Sequence, residues 1–194
     1  MFDNNEANNR IQIFGTVKDV ERIMVGDELM CDGTFKVVLS LFCQLFTIMA
    51  KKYGKWHPCL FCLTQHKTQA AYEAIWENIV RYCLKNDVEI NENCIVHVDF
   101  EKAIVNAIKK FLPNAQIMHC RFHLGQSVCR KVQSLGLTTK YRNDETFRAN
   151  VLKLVALTFI EPENVLQEFE ILAVLINEVQ ITLKKLMWKE KPLE

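Results

Sequence analysis

Two aspartates stand in segments that read as strands. Asp32 lies in ELMCDGTFKVV, residues 28–38, and Asp99 lies in CIVHVDF, residues 94–100. Asp32 has two readings. An Asp-Gly pair between apolar runs is a strong hairpin signal, so Asp32 and Gly33 read as a turn. An aspartate on a strand with a second carboxylate beside it is instead a hard-oxygen site. Two carboxylates a few ångströms apart repel, and a divalent cation between them relieves the repulsion. Mg²⁺ or Mn²⁺ suits such oxygens. Two such ions, about 3.5–4 Å apart, activate a water or a 3′-hydroxyl and stabilise the leaving oxygen in phosphoryl transfer. That chemistry usually takes a third carboxylate. Asp99 also precedes a helical segment, which makes it a candidate N-cap. Glu101 reads as a first-turn acid that the helix dipole favours, or less simply as a ligand.

A second constellation is HCRFH, His119 to His123. Cys120 and His123 have a pair spacing that zinc sites use, and a structural zinc needs four ligands. The obvious second pair is Cys59 and Cys62 in HPCLFC. Residues three apart on an extended strand point to opposite faces, so that pair chelates only at a turn. A four-ligand zinc module is one reading; partly buried thiols and a histidine at a helix start are the other. Lys51, Lys52, Lys55, Arg121, Arg130 and Lys131 read as solvated faces or phosphate contacts. Tyr72, Trp76 and Phe111 read as core.

The elements that must position these residues follow from periodicity. Residues 1–9 read as a polar tip. Gln12–Thr16 reads as a short strand, and Thr16 caps a short helix to about Met24 with Asp19 in its first turn. Glu28–Val38, Phe42–Ala50 and His57–Leu63 read as three strands of an antiparallel meander, with a basic turn at 51–55. Tyr72, Ile75, Trp76, Ile79 and Cys83 recur at helical spacing, which predicts an amphipathic helix over Gln69–Lys85. A strand over Cys94–Phe100, a helix ending at Pro113-Asn114 and a strand over Ala115–His119 follow. Beyond Arg121 nearly everything reads as helical. Gly136 ends a helix from about Phe122, Phe147 to Thr158 mark another, and Pro162 begins the last, to about Trp188. A meander followed by parallel α/β units resembles the ribonuclease H-like layout, and that resemblance implies the Asp32 and Asp99 strands side by side, with Asp99 at a carboxyl end, where open α/β sheets collect ligands.

Composition narrows the class. The chain has 194 residues, 49% of them hydrophobic, enough for a core in one domain with an appended part. A net charge of +1 argues against nucleic-acid affinity resting on overall charge, though not against a local basic groove. With 6 Gly and 4 Pro the chain is not of low complexity. The polar start lacks a signal-peptide pattern, and the longest apolar run, Val37–Ala50, is too short to span a bilayer. The 8 scattered Cys then read as reduced thiols in an intracellular compartment.

A three-stranded meander joined to parallel α/β units resembles the ribonuclease H-like fold, an analogy at the level of the fold. The motifs carry a more specific resemblance. DGTF (32–35), LFCQLFTI (41–48), HKTQAAY (66–72), VDFEKA (98–103), FLPNA (111–115), CRFHLGQ (120–126) and LVALTFI (154–160) fall in the order seen in Mutator-like element (MULE) transposases. FGT (14–16) and GLTTKY (136–141) extend it, over roughly residues 11–175.

The resemblance implies an α/β, ribonuclease H-like mixed sheet followed by a helical region. Residues 1–27 would be a lead-in strand and short helix, 28–127 the transposase-like domain, and 128–194 a truncated helical insertion. It implies a DDE-type core that cuts DNA at transposon ends and joins the 3′ ends to a target, using Mg²⁺ or Mn²⁺. Asp32 matches the first acid and Asp99 the second, as catalytic residues and metal ligands. Cys120 and His123 match the family's C-x-x-H element. Transposon-end and target DNA, self-association and a nuclear location are implied with it.

Departures from the pattern go with the resemblance. The third acid is expected beyond a helical insertion, and among Glu168, Glu170 and Glu178 no motif singles one out. Met49 stands where relatives often carry His, and Leu39 where Pro is common. The chain therefore reads as the central piece of a transposase core, inactive alone. The alternative is a descendant that kept the fold as a DNA- or protein-binding module.

Overall fold

A computed structural model describes residues 2–175 apart from Ala7 and Lys36. Residues 1–120 and 121–194 form two compact units.

The first unit is built on a mixed sheet. Its strands among the described residues are β1 (Phe2–Asp3), β2 (Ile11–Phe14), β3 (Glu28–Thr34), β4 (Gln44–Lys52), β5 (Lys55–Thr64), β6 (Ile95–Val98) and β7 (Gln116–His119), in the order β1-β2-β5-β4-β3-β6-β7. The meander β3-β4-β5 is antiparallel, as its short links require. Its tight turn is the two-residue loop Tyr53-Gly54, where both φ angles are positive, +52° and +71°. That is the backbone a type I′ hairpin needs. β6 lies parallel to β3, and β7 parallel to β6. Parallel neighbours need crossovers, supplied by α2 (Gln69–Lys85) and α3 (Lys102–Phe111). β2 and β1 extend the sheet beyond β5, a placement that the lone strand at residues 12–16 did not disclose.

One face of this sheet is the core. Leu29 and Cys31 of β3, Phe46, Ile48 and Ala50 of β4, and Val96 and Val98 of β6 alternate inward. They pack with Tyr72, Ile75, Trp76 and Ile79 of α2 and with Ile104, Ala107 and Ile108 of α3. The helical period read from the sequence is the period of this contact. α1 (Val17–Met24) adds Ile23 and Met24. Its first turn is clasped by Asp19, whose Oδ2 accepts from the Thr16 backbone N–H at 2.9 Å and hydroxyl at 2.6 Å.

The strand alternation has one interruption. Ile48 pairs with Leu60 but Met49 pairs with Pro58, so Cys59 is an extra residue in β5. The bulge turns Cys59 and Cys62 to the same buried side, at 2% and 0% exposure, against the expectation that they face apart.

The second unit is helical: α4 (Arg121–Ser134), α5 (Thr138–Asn143), α6 (Glu145–Ala156), a 3-10 turn at Leu157–Phe159, and α7 (Pro162–Leu175). Val128, Val132, Phe147, Val151, Leu154, Phe169 and Leu172 form its own core. α4 ends in a Schellman turn. Gly136 has φ +71°, its N–H donates to the Gln133 carbonyl at 3.0 Å, and the Leu137 N–H donates to the Val132 carbonyl at 3.1 Å. α5 was not anticipated. The expected continuation of α7 to Trp188, with Glu178, lies outside the described residues.

Candidate functional site

Asp32 lies in β3, and Asp99 immediately follows β6, its parallel neighbour. In the parallel pair β3 and β6, Glu28 stands beside Ile95, Leu29 beside Val96 and Met30 beside His97. Each partner is 67 positions on, the separation of Asp32 and Asp99. The recorded pairing ends at Met30 and His97, and β6 ends at Val98; the same offset continued two positions would set Asp32 level with Asp99. Alternation also sets the face. Leu29, Cys31, Val96 and Val98 point into the core, so Glu28, Met30 and Asp32 on β3, and Ile95 and His97 on β6, belong to the opposite face, and Asp99 is the next residue of that parity after β6 ends. Both aspartates are half-buried there, at the carboxyl end of the pair.

Asp32 is thus a strand residue. It pairs with Thr47 of β4, and Gly33 pairs with Phe46, so the Asp-Gly hairpin reading is overturned by the ladder. Gly33 has a different reason to be glycine. A Cβ there would lie 2.7 Å from Gln44 Oε1, so the room it leaves is taken by a buried carboxamide. Asp99 is not the N-cap of α3; that position is Glu101. The Asp99 carboxylate instead accepts from the N–H of Phe100 at 2.6 Å.

Further down the same face lies a charged group that periodicity alone did not single out. Lys51 Nζ is 2.6 Å from Glu28 Oε1, and His97 Nε2 is 3.3 Å from Glu28 Oε2. The Lys51 ammonium, with help from His97, holds the Glu28 carboxyl below the usual glutamate range. The Trp56 ring stands edge-on to His97 at 5.5 Å. The signal was strand parity: Glu28 and His97 sit four and two residues before the aspartates.

Beyond the strand ends, the Phe100 ring stacks on His119, with centroids 4.4 Å apart and planes 15° from parallel. Glu101 accepts a 3.5 Å hydrogen bond from the Tyr72 hydroxyl and lies 3.6 Å from Lys67 Nζ. Tyr72 is core, as expected, with a polar end that the helical pattern does not reveal. Burial raises its phenol pKa above the ordinary value.

Cys120 closes the first unit, its N–H donating to the Val98 carbonyl at 2.8 Å, and His123 falls in α4 of the second. Cys59 and Cys62 sit on β5, four strands away from β7, about 19 Å at ordinary strand spacing. One tetrahedral ion cannot take ligands from both places, so the four-ligand zinc module does not form. Among the described residues, no group of three or more His, Cys, Asp or Glu stands close enough to hold a metal ion. All eight cysteines are free thiols. Burial pushes the Cys31 and Cys62 thiols far up, which leaves them inert.

The model of the MULE transposase domain matches residues 29–127, just over half of the chain. The chain belongs to the MULE transposase family. No curated protein matches it. The matched MULE segment opens at Leu29, inside the strand that carries Asp32, and holds the rest of β3, all of β6 and both aspartates. Among the described residues no helix is long and apolar enough to cross a membrane.

Proposed function

We propose that this chain carries the first two acids of a DDE-type DNA strand-cleavage and strand-transfer core on a ribonuclease H-like sheet. The observation that supports this most is the shared 67-residue offset of the β3–β6 ladder and of Asp32 and Asp99. Continued past the last recorded pair, that offset supports two hard-oxygen donors side by side at the carboxyl ends of adjacent parallel strands. The strand order β5-β4-β3-β6-β7 fits the fold, with the first strand of the meander central beside the first parallel strand.

The donor set suits Mg²⁺ or Mn²⁺. Such ions are held by one or two carboxylates, with waters and substrate phosphates filling the remaining positions. Asp32 and Asp99 would hold the ion. When bound, it supplies Lewis-acid stabilisation of an attacking or leaving oxygen of a phosphodiester. The protein's own part is positional. Pairing with Thr47 of β4 holds the Asp32 backbone, and the Phe100 N–H orients the Asp99 carboxylate. A third carboxylate is part of the reading and is not assigned to a residue. The substrate is double-stranded DNA at element ends, which places the working protein in the nucleus.

Titration of the purified chain with Mn²⁺ by calorimetry tests the site. Binding is expected for the wild type, and its loss for Asp32→Asn and for Asp99→Asn with unchanged circular dichroism. A wild-type chain that binds no Mn²⁺, or an Asp32→Asn chain that binds it equally well, refutes the assignment.

A further inference from the structure

The helix-facing side of the sheet carries a polar chain where apolar residues would pack. Gln44 is fully buried, and its Nε2 donates to the Tyr72 hydroxyl at 2.9 Å. The Tyr72 hydroxyl in turn faces Glu101 Oε1 at 3.5 Å. Gln44 lies against Gly33, the neighbour of Asp32, and Glu101 follows Asp99 by two residues. The chain therefore runs from one aspartate strand to the other through α2. An outer clasp repeats the connection. Lys67, just before α2, sits 4.3 Å over the Phe35 ring, where β3 has ended, and 3.6 Å from Glu101 Oε2. Both routes converge on the Glu101 carboxylate. Its backbone carbonyl meanwhile accepts the first α3 bonds, from Ile104 and Val105.

Burying an amide and a phenol is unfavourable unless they are bonded, and Leu and Phe would fill the same space without that cost. What the polar pair adds is direction: it fixes one strand exit against the other. We propose that Glu101 is a positioning residue for the aspartate pair, holding the Asp99 segment in register with the Asp32 strand through Tyr72–Gln44 and Lys67. It is not a third metal ligand. Its carboxylate is committed to Tyr72 and Lys67, and no cluster of three ligating side chains forms among the described residues. This inference rests on the reading of Asp32 and Asp99 as the cation site.

The test is Mn²⁺ affinity of the full chain, read by calorimetry and by the Mn²⁺ electron paramagnetic resonance linewidth. Residues that orient metal ligands change affinity roughly 10–100-fold when removed. Glu101→Ala is expected to weaken binding about tenfold or more and to broaden the bound signal. Glu101→Gln keeps an acceptor for Tyr72 and should recover most of the affinity. Tyr72→Phe should fall between them. Lys110→Ala breaks a pair with Glu73 that joins the same two helices at exposed side chains, and should leave affinity unchanged. Wild-type affinity in Glu101→Ala overturns the proposal. So does loss of binding in Glu101→Gln as complete as in Asp99→Asn, which would make Glu101 a ligand. So does an equal loss in Lys110→Ala, which would make the effect one of general stability. A wild-type chain that binds no Mn²⁺ removes the cation site itself and this inference with it.

Discussion

At Gly33 an added methyl group would meet the Gln44 carboxamide oxygen, which is buried and hydrogen-bonded through its nitrogen to Tyr72. A side chain so confined cannot swing aside cheaply. Gly33→Ala is expected to cost about 1–3 kcal/mol in urea denaturation. The double variant with Gln44→Ala should recover part of that, because the colliding atom is gone. Simple additivity of the two changes would show that the contact is not the cause. Glu28 supplies a pH-dependent contribution. Lys51 and His97 depress its folded pKa below the unfolded value of about 4.3. An acid depressed in the folded state contributes stability above its unfolded pKa and loses it as pH falls toward the folded value. Glu28→Gln should therefore flatten the decline of melting temperature below about pH 5. An unchanged acid limb would show that the ion pair contributes nothing there.

Among the elements, the α4 terminus and the α6 start are the places where single residues decide. Gly136 occupies the left-handed region, and Gly136→Ala should cost about 1 kcal/mol. Asp144 caps α6 by accepting from the Phe147 N–H at 2.9 Å, so Asp144→Ala should cost about 1 kcal/mol as well. Thermal melts of both variants check these values. The sequence showed some elements plainly. Tyr72, Ile75, Trp76 and Ile79 declare α2 because a long two-sided helix repeats its period several times. The adjacency of the Asp32 and Asp99 strands came from the resemblance to the ribonuclease H-like layout, since β5, the strand that the α2 crossover joins to β6, is not the neighbour of β6. Other features left no mark. Glu28–Val38 reads as one strand, yet β3 ends at Thr34 and Val37 lies beyond it at 66% exposure. The extra residue Cys59 cannot be read from an apolar run, since a bulge depends on the partner strand. Asp-Gly misled for a related reason: turn propensity is local, and the Gly33 requirement comes from Gln44 eleven residues away. The Glu101 contacts, with Tyr72 and Lys67, link residues 29 and 34 positions apart, which no spacing rule covers.

At the scale of the molecule, each unit has a core of its own. One is centred on the sheet with Trp76 and Tyr72, the other on Val132, Val151 and Phe169. Val151 is 1% exposed, and Val151→Ala should cost about 1–3 kcal/mol. If the two cores open separately, the loss will be confined to amides of residues 121–175 in native-state hydrogen exchange, with β3 and β6 keeping their protection. A parallel loss in β3 would mean one cooperative block. Near-neutral net charge fits a chain whose DNA contacts, on the proposed reading, come from local groups rather than from a general positive field.

The β3–β6 ladder also determines which inherited changes such a chain can survive. A strand has two sides, so removing one codon between Glu28 and Asp32, or between Ile95 and Asp99, forces a choice. Either the aspartate rotates into the oily side or its apolar neighbours rotate out. The 86–93 connection has no strand alternation, so removing one codon there reverses no set of side chains. In a library of single-codon deletions the tolerated positions should therefore fall in the connection and be missing from the two short strands. Copies of this gene drifting without selection would show no such gap, so the pattern of small in-frame losses would report whether the sheet that carries the two aspartates is still under selection.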